Sequence, residues 1–278
     1  QPGPAVVNTN WTHANGSPRH ASAHPALGRQ LTLAWSASIG EGNSRGHRIT
    51  ADPVVAAGRV YTLDSRAQVS AFTTAGAAVW SRDITPDADN ASDASGGGIA
   101  YADGRVFVTS GFGALTALDA ATGAPVWTQD LDAASTAPPT VVDGVVYVAT
   151  RNAIGWAIDA NTGRILWPVL GAPGPSGLVG GASPTVAGPL VVFAFSSGQL
   201  VTAERGTGRR GWAASVAGRR ADRAFSGISD ISGSPIADGG RVYAGNHSGR
   251  TAAFDSSSGS TDWTADEGAL NALWRSGD

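Results

Sequence analysis

Tryptophan returns along this chain at a near-constant interval: Trp35, Trp80, Trp127, Trp167, Trp212 and Trp263 are separated by 45, 47, 40, 45 and 51 residues. A period of that length is the mark of a repeat architecture, in which one small unit is copied and stacked. Four residues before each of the last five tryptophans stands a glycine: Gly76, Gly123, Gly163, Gly208 and Gly259. Immediately before those glycines come Ala75, Thr122, Thr162, Thr207 and Ser258, and eight residues before the tryptophans come Phe72, Asp119, Asp159, Glu204 and Asp255. The unit is therefore Asp-x-x-Thr-Gly-x-x-x-Trp, with two worn copies. Its chemistry is that of a turn. Asp and Thr side chains bond nearby backbone amides, and glycine takes the positive φ that a tight reversal between strands requires.

Upstream of each unit lie short apolar runs, such as Val54-Val55, then Val60-Tyr61-Thr62-Leu63, then Val69-Ser70-Ala71-Phe72. The same order recurs in Val141-Val142, Val145-Val146-Tyr147-Val148, Trp156-Ala157-Ile158 and Ile165-Leu166-Trp167. Each repeat thus predicts four short antiparallel strands, with hairpin turns at Asp103-Gly104, Asp143-Gly144 and Gly239-Gly240. The expected fold class is all-β, a β-propeller of four-stranded antiparallel blades, with the tryptophans filling the seams between blades. At 42% hydrophobic the chain can build such cores. The WD-repeat variant is excluded, because Ser, Thr, Pro, Ala and Thr follow the five repeat tryptophans, and no Gly-Gly doublet keeps a kelch register.

The ends differ from the middle. Trp35 lies in Gln30-Leu31-Thr32-Leu33-Ala34-Trp35, an outer-strand sequence without three strands before it, as expected of a strand that completes the last blade of a closed ring. Residues 1–29 are expected to be an extended N-terminal segment, and residues 30–278 an incomplete propeller of about five and a half blades whose C-terminal blades lie beyond this sequence.

The repeat resembles that of pyrroloquinoline-quinone-type propellers, shared by quinoprotein dehydrogenases and by propellers without catalytic activity. Residues 49–79, 101–127, 180–198 and 229–255 are similar to the BamB family, the propeller subunit of the outer-membrane β-barrel assembly machinery. The most specific stretch is Ser229-Asp230-Ile231-Ser232-Gly233-Ser234-Pro235 followed by residues 239–250. This resemblance implies eight blades in the full chain, a periplasmic location, a lipid anchor in the outer membrane, no cofactor, and binding to the periplasmic (POTRA) repeats of the insertase BamA. It also implies two binding loops, at residues 176–180 and 228–232. Leu178 and Asp230 match family residues there, Val179 stands where an arginine is often found, Ser176 where a second leucine sits, and Ser232 where a second acid sits. The expected partner-binding residues are Leu178, Val179, Asp230 and Ser232. The family's lipid-bearing cysteine is absent from this sequence.

Other chemistries find little support in the residues. The chain has no cysteine, so the vicinal pair that the resemblance to quinoprotein dehydrogenases would require is missing, as is any thiolate site. All 19 basic residues are arginine, so no P-loop lysine exists, and a net charge of −3 argues against nucleic acid. The longest apolar stretch, residues 189–195, is far short of the ~20 needed to cross a membrane as a helix. His20 and His24 have the spacing of a metal pair, but Pro18 and Pro25 deny them a helix, and the histidine-bearing N-terminal segment is expected to be solvated. The acidic run from Asp87 to Asp93 lacks the glycine and distal glutamate of a calcium loop. Arg205, Arg209, Arg210, Arg219, Arg220 and Arg223 cluster near the second loop, with Phe225, Ile228 and Ile231 beside them. The reading that best unites these features is a non-catalytic scaffold acting through rim loops. The rival readings are an exported propeller that holds a polysaccharide or small ligand in its central channel, and a sensor domain of a larger chain.

Overall fold

The computed structural model describes residues 3–174, 181–216 and 230–275. Twenty strands form five four-stranded antiparallel sheets, each with its strands side by side in chain order. The first blade holds β1 (Val54–Ala56), β2 (Arg59–Leu63), β3 (Gln68–Thr73) and β4 (Ala78–Asp83). The second holds β5 (Gly97–Ala102), β6 (Arg105–Ser110), β7 (Ala114–Asp119) and β8 (Pro125–Asp130). The third holds β9 (Thr140–Val142), β10 (Val145–Ala149), β11 (Ile154–Asp159) and β12 (Ile165–Leu170). The fourth holds β13 (Thr185–Ala187), β14 (Leu190–Ala194), β15 (Gln199–Glu204) and β16 (Arg210–Ser215), and the fifth β17 (Ile236–Asp238), β18 (Arg241–Gly245), β19 (Thr251–Asp255) and β20 (Thr261–Ala265). First strands of neighbouring blades approach one another while fourth strands stay apart, so the first strands ring the axis. The molecule is the β-propeller that the tryptophan period predicts.

Each apolar cluster is shared by two neighbouring blades. Ile99, Val106 and Leu118 of the second blade pack with Val54, Tyr61 and Val69 of the first, and three further clusters join the second to third, third to fourth and fourth to fifth blades. Blades therefore fold against each other, as stacked repeats must. At the outer rim of each seam the fourth-strand tryptophan lies flat on the glycine of the next blade. A Cβ on Gly123 would come within 2.6 Å of the Trp80 ring, and one on Gly163, Gly208 or Gly259 within 2.5–2.7 Å of Trp127, Trp167 or Trp212. The same glycines hold φ between +71° and +74°, so only glycine meets both demands. Trp80, Trp127 and Trp212 also donate their indole N–H to Ala120, Ala160 and Ser256 carbonyls of the next blade at 2.9–3.1 Å.

Residues 30–35 form no strand, which corrects the expectation of an orphan fourth strand, but Trp35 still takes a seam position: its ring covers Gly76 and its indole N–H donates to the Thr74 carbonyl at 3.0 Å. Trp263, on the fourth strand of the last described blade, is 45% exposed. Within the blades the tryptophan leans over a small residue. Tyr61, Ala71 and Trp80 form one cross-strand row, and Phe107-Ala117-Trp127, Tyr147-Ala157-Trp167 and Tyr243-Ala253-Trp263 repeat it. The central alanine lets the outer rings close to 5.9–6.2 Å.

The Asp-Thr-Gly turns are local hydrogen-bond cages, as the repeat predicts. The Asp119 carboxylate accepts from the Thr122 hydroxyl at 2.7 Å and from the Thr122 and Ala121 amides at 2.8 and 3.1 Å, and Asp159 does the same with Thr162 and Asn161. The threonine hydroxyls hold both carboxyls below the ordinary aspartate range. Hydrogen bonds from Ser257 and Ser258 bring Asp255 down to about 2.

The N-terminal segment corrects the sequence reading. It enters the axis, and His13 and His20 are 3% and 1% exposed, where solvated side chains were expected. Residues 11–20 pass the first strand of every blade in turn. The Val55 amide donates to the Trp11 carbonyl (2.8 Å), Tyr101 to that of Thr12 (2.8 Å), Val186 to that of Pro18 (2.9 Å) and Ala237 to that of Arg19 (3.0 Å), while the Val141 amide donates to His13 Nε2 (3.0 Å). These carbonyls and one imidazole satisfy the inner edges of strands that have no further strand to pair with.

Two outcomes follow from this packing. Gly123→Ala is expected to cost about 2–4 kcal/mol, from a left-handed alanine plus the clash with Trp80. Gly144→Ala, at φ +74° but with open space around it, is expected to cost only about 1–2 kcal/mol; denaturant midpoints of the two variants isolate the tryptophan seat. The second outcome concerns pH. Burial lowers His13 and His20 from 6.5 to about 4, with His20 adding to the effect on His13. Below 6.5 the unfolded chain takes up protons that the folded chain refuses, so this stability is present above 6.5 and lost as pH falls to about 4. The unfolding midpoint should be level from pH 8 to 7 and drop between 6.5 and 4, and His20→Asn should shrink the drop.

Candidate interaction rim

The described residues that lead into the first strands of the blades lie along one rim. There the seams are closed by hydroxyl groups. Thr50 Oγ1 donates to the Gly97 carbonyl at 2.7 Å across the first seam, and Thr109 Oγ1 to that of Ala137 at 2.7 Å across the second. Thr140 Oγ1 donates to the Pro184 carbonyl at 2.5 Å and lies 2.8 Å from Ser183 Oγ; Thr185 Oγ1 donates to the Pro235 carbonyl at 2.6 Å. Ser232 Oγ continues the series, donating to the Leu270 carbonyl at 2.9 Å. Most of these groups are buried, so each bond replaces water that cannot reach it. Sequence reasoning singled out none of the threonines, although Pro53, Pro139, Pro184 and Pro235 before the first strands of four blades mark the entry points.

Of the expected partner-binding residues, Leu178 and Val179 lie outside the described residues, together with Phe225, Ile228, Arg219, Arg220 and Arg223. Asp230 is 5% exposed; its carbonyl accepts from the His247 amide at 3.0 Å. Ile231 is 1% exposed and belongs to the core between the fourth and fifth blades. The segment that carries Asp230 and Ile231 is therefore seated in the propeller, and Ser232 is its outermost described hydroxyl. Arg205 pairs with Asp143 and Arg209 with Glu204, so these two members of the arginine cluster are engaged within the chain.

The rim opens on a cavity of about 660 Å³ lined by Asn15, Thr50, Gly181, Ser232, Ser234 and Asn271 among others. Its floor is the axial segment, at Ala14 and Asn15. Gly181, which follows residues 176–180 in the sequence, and Ser232, the last residue of 228–232, both line this cavity, while residues 176–180, 228 and 229 lie outside the described residues. The lining offers hydroxyl, amide and backbone groups. Among the described residues no cluster of three or more histidines or carboxylates is placed to hold a metal ion, and no helix is long and apolar enough to cross a membrane.

A family model described as outer membrane protein assembly factor BamB matches residues 65–278. An outer membrane protein assembly factor BamB from Shewanella oneidensis is 27% identical over 254 residues, covering 88% of this chain and 64% of that protein. The crystal structure of BamB from Moraxella catarrhalis superposes with a TM-score of 0.69 at 24% identity, over 81% of this chain and 66% of that one. A quinohemoprotein alcohol dehydrogenase from Comamonas testosteroni is 34% identical over 165 residues, 52% of this chain and 22% of the enzyme. The chain spans a little under two thirds of the length of the curated BamB relatives it matches first.

Thr140→Val keeps the volume of the side chain and removes the hydroxyl that joins the third blade to Ser183 and Pro184. Leaving the Pro184 carbonyl and Ser183 hydroxyl without that donor is expected to cost about 1–3 kcal/mol in denaturant unfolding. An unchanged midpoint would remove the hydroxyl series from the account of how the rim is held.

Proposed function

The chain belongs to the BamB family of outer membrane protein assembly factors, and from that membership we propose that it is a non-catalytic scaffold which binds the periplasmic POTRA domains of a BamA insertase through the connectors of one rim. The observation that carries the reading is the family match across residues 65–278, which takes in four whole blades and both expected loops. Propeller blades suit the task because a stiff sheet framework holds loops of variable sequence at fixed separations. In this reading Leu178 and Val179 supply apolar contacts, Ser232 supplies a polar one at the cavity mouth, and buried Asp230 positions the second connector. The protein works in the periplasm, and its tie to the outer membrane is a lipid anchor outside this sequence.

The absence of cysteine supports a scaffold over quinone-dependent dehydrogenation, for which the family likeness calls for a vicinal cysteine pair. The axial segment speaks against a ligand deep in the channel, because residues 11–20 already line its wall.

The test is titration of the full chain with an isolated POTRA array, followed by calorimetry. Micromolar or tighter binding is expected, with Leu178→Asp plus Val179→Asp weakening it at least tenfold, about 1.4 kcal/mol. Asp230→Ala should lower the unfolding midpoint as well as affinity, since its side chain is buried. Binding that ignores the paired aspartates would move the contact elsewhere on the propeller, and no binding by the unaltered chain would end the scaffold reading.

A further inference from the structure

We infer that the axial channel is a peptide-binding site whose resident ligand is the chain's own segment 11–20. The residue that each first strand presents to this segment occupies the same place in every repeat. Val55, Tyr101, Val141, Val186 and Ala237 are paired in register with Val60, Val106, Val146, Val191 and Val242 of the neighbouring second strand. All five turn their amides to one ten-residue stretch, and at Val55 the pairing is reciprocal, the Trp11 amide donating back at 2.6 Å. A repeated array of edge amides that captures one chain uses the logic of strand-edge recognition, with bonds to the edge amides for affinity and side-chain sites for selectivity.

Two of those side-chain sites are imidazole pockets. His13 Nε2 accepts the Val141 amide, so the ring is neutral with its proton on Nδ1, where Thr12 Oγ1 lies at 2.8 Å. His20 Nδ1 stands 2.9 Å from the Pro235 carbonyl and 2.8 Å from Thr185 Oγ1, a pocket built by the fourth and fifth blades. Between the histidines the chain turns through Ala14–Gly16, with Gly16 at φ +90° beneath the Trp11 ring, where a Cβ would come within 2.9 Å of the indole. The turn lets one short segment reach the first three blades before it and the last two after it. The ligand class is thus a polypeptide with two neutral imidazoles seven residues apart and a compact turn between them. This assignment does not depend on the partner proposed above.

The experiment uses the full chain, unaltered and as His13→Ala plus His20→Ala, with a fluorescent peptide of residues 8–22 as the probe. In the unaltered chain the tethered segment competes at a local concentration on the order of millimolar, so the free peptide should bind at least tenfold more weakly than to the double variant. Hydrogen exchange should show the amides of Val55, Tyr101, Val141, Val186 and Ala237 protected in the unaltered chain and exposed together in the variant. The added peptide should restore their protection, while a peptide with both histidines replaced by alanine should not. A folded variant that keeps the five amides protected, or that ignores the peptide, overturns the inference. Should the variant fail to fold, exchange in the unaltered chain decides: joint protection of the five amides supports the site, and free exchange at those amides overturns it.

Discussion

The contact on which the rest of this molecule depends is a flat indole laid on a bare glycine at the edge of the next blade. Each blade is apolar on both faces of its inner three strands and cannot bury them alone, so its stability is stored in seams. The tryptophan sets the width of a seam, because the ring can come no closer than the absent Cβ allows. The glycine in turn sets the course of the hairpin from third to fourth strand. One residue pair thus fixes both a turn inside one blade and the distance to its neighbour, which explains why the period survives where other positions of the repeat have drifted.

A second set of bonds lies nearer the axis, where threonine hydroxyls cross the four seams to a backbone carbonyl of the next blade. Tryptophans at the outside and hydroxyls at the inside hold neighbouring sheets at two radii, which resists both sliding and splaying. Asp230 and Ile231 lie within this frame: Asp230, expected to contact a partner, is 5% exposed, and Ile231 takes the seam position that was one of its two sequence readings.

What was legible in the sequence follows from what side chains write and what backbones do not. The blade strands, the hairpins at Asp103-Gly104 and Asp143-Gly144, and the positive φ of the repeat glycines are specified by residue type at fixed spacing and fold as read, whereas the seating of each indole on the next blade's glycine appears only in the structure. The axial course of residues 11–20 was not legible. Of the five blade amides that donate to it, four bond to carbonyls, which every residue has, and Pro18 and Gly16 give it neither helical nor strand period. The one residue-specific signal was the pair His13 and His20, and histidine in a polar, proline-containing segment reads first as solvated. The hydroxyl series was partly visible, since Thr140 and Thr185 each follow a proline at a blade entry, but a threonine before an apolar run also reads simply as strand.

The seam between blades joins unlike surfaces, an indole on one side and a glycine seat on the other. Interfaces of this heterologous kind can propagate from molecule to molecule unless the ring closes or one of the two surfaces is blocked. The seat on the first blade, at Gly76, is already filled from within by Trp35. The one glycine seat of the described blades that no preceding described blade covers is thus occupied by the chain's own indole, so the first blade offers no open seat to a second copy.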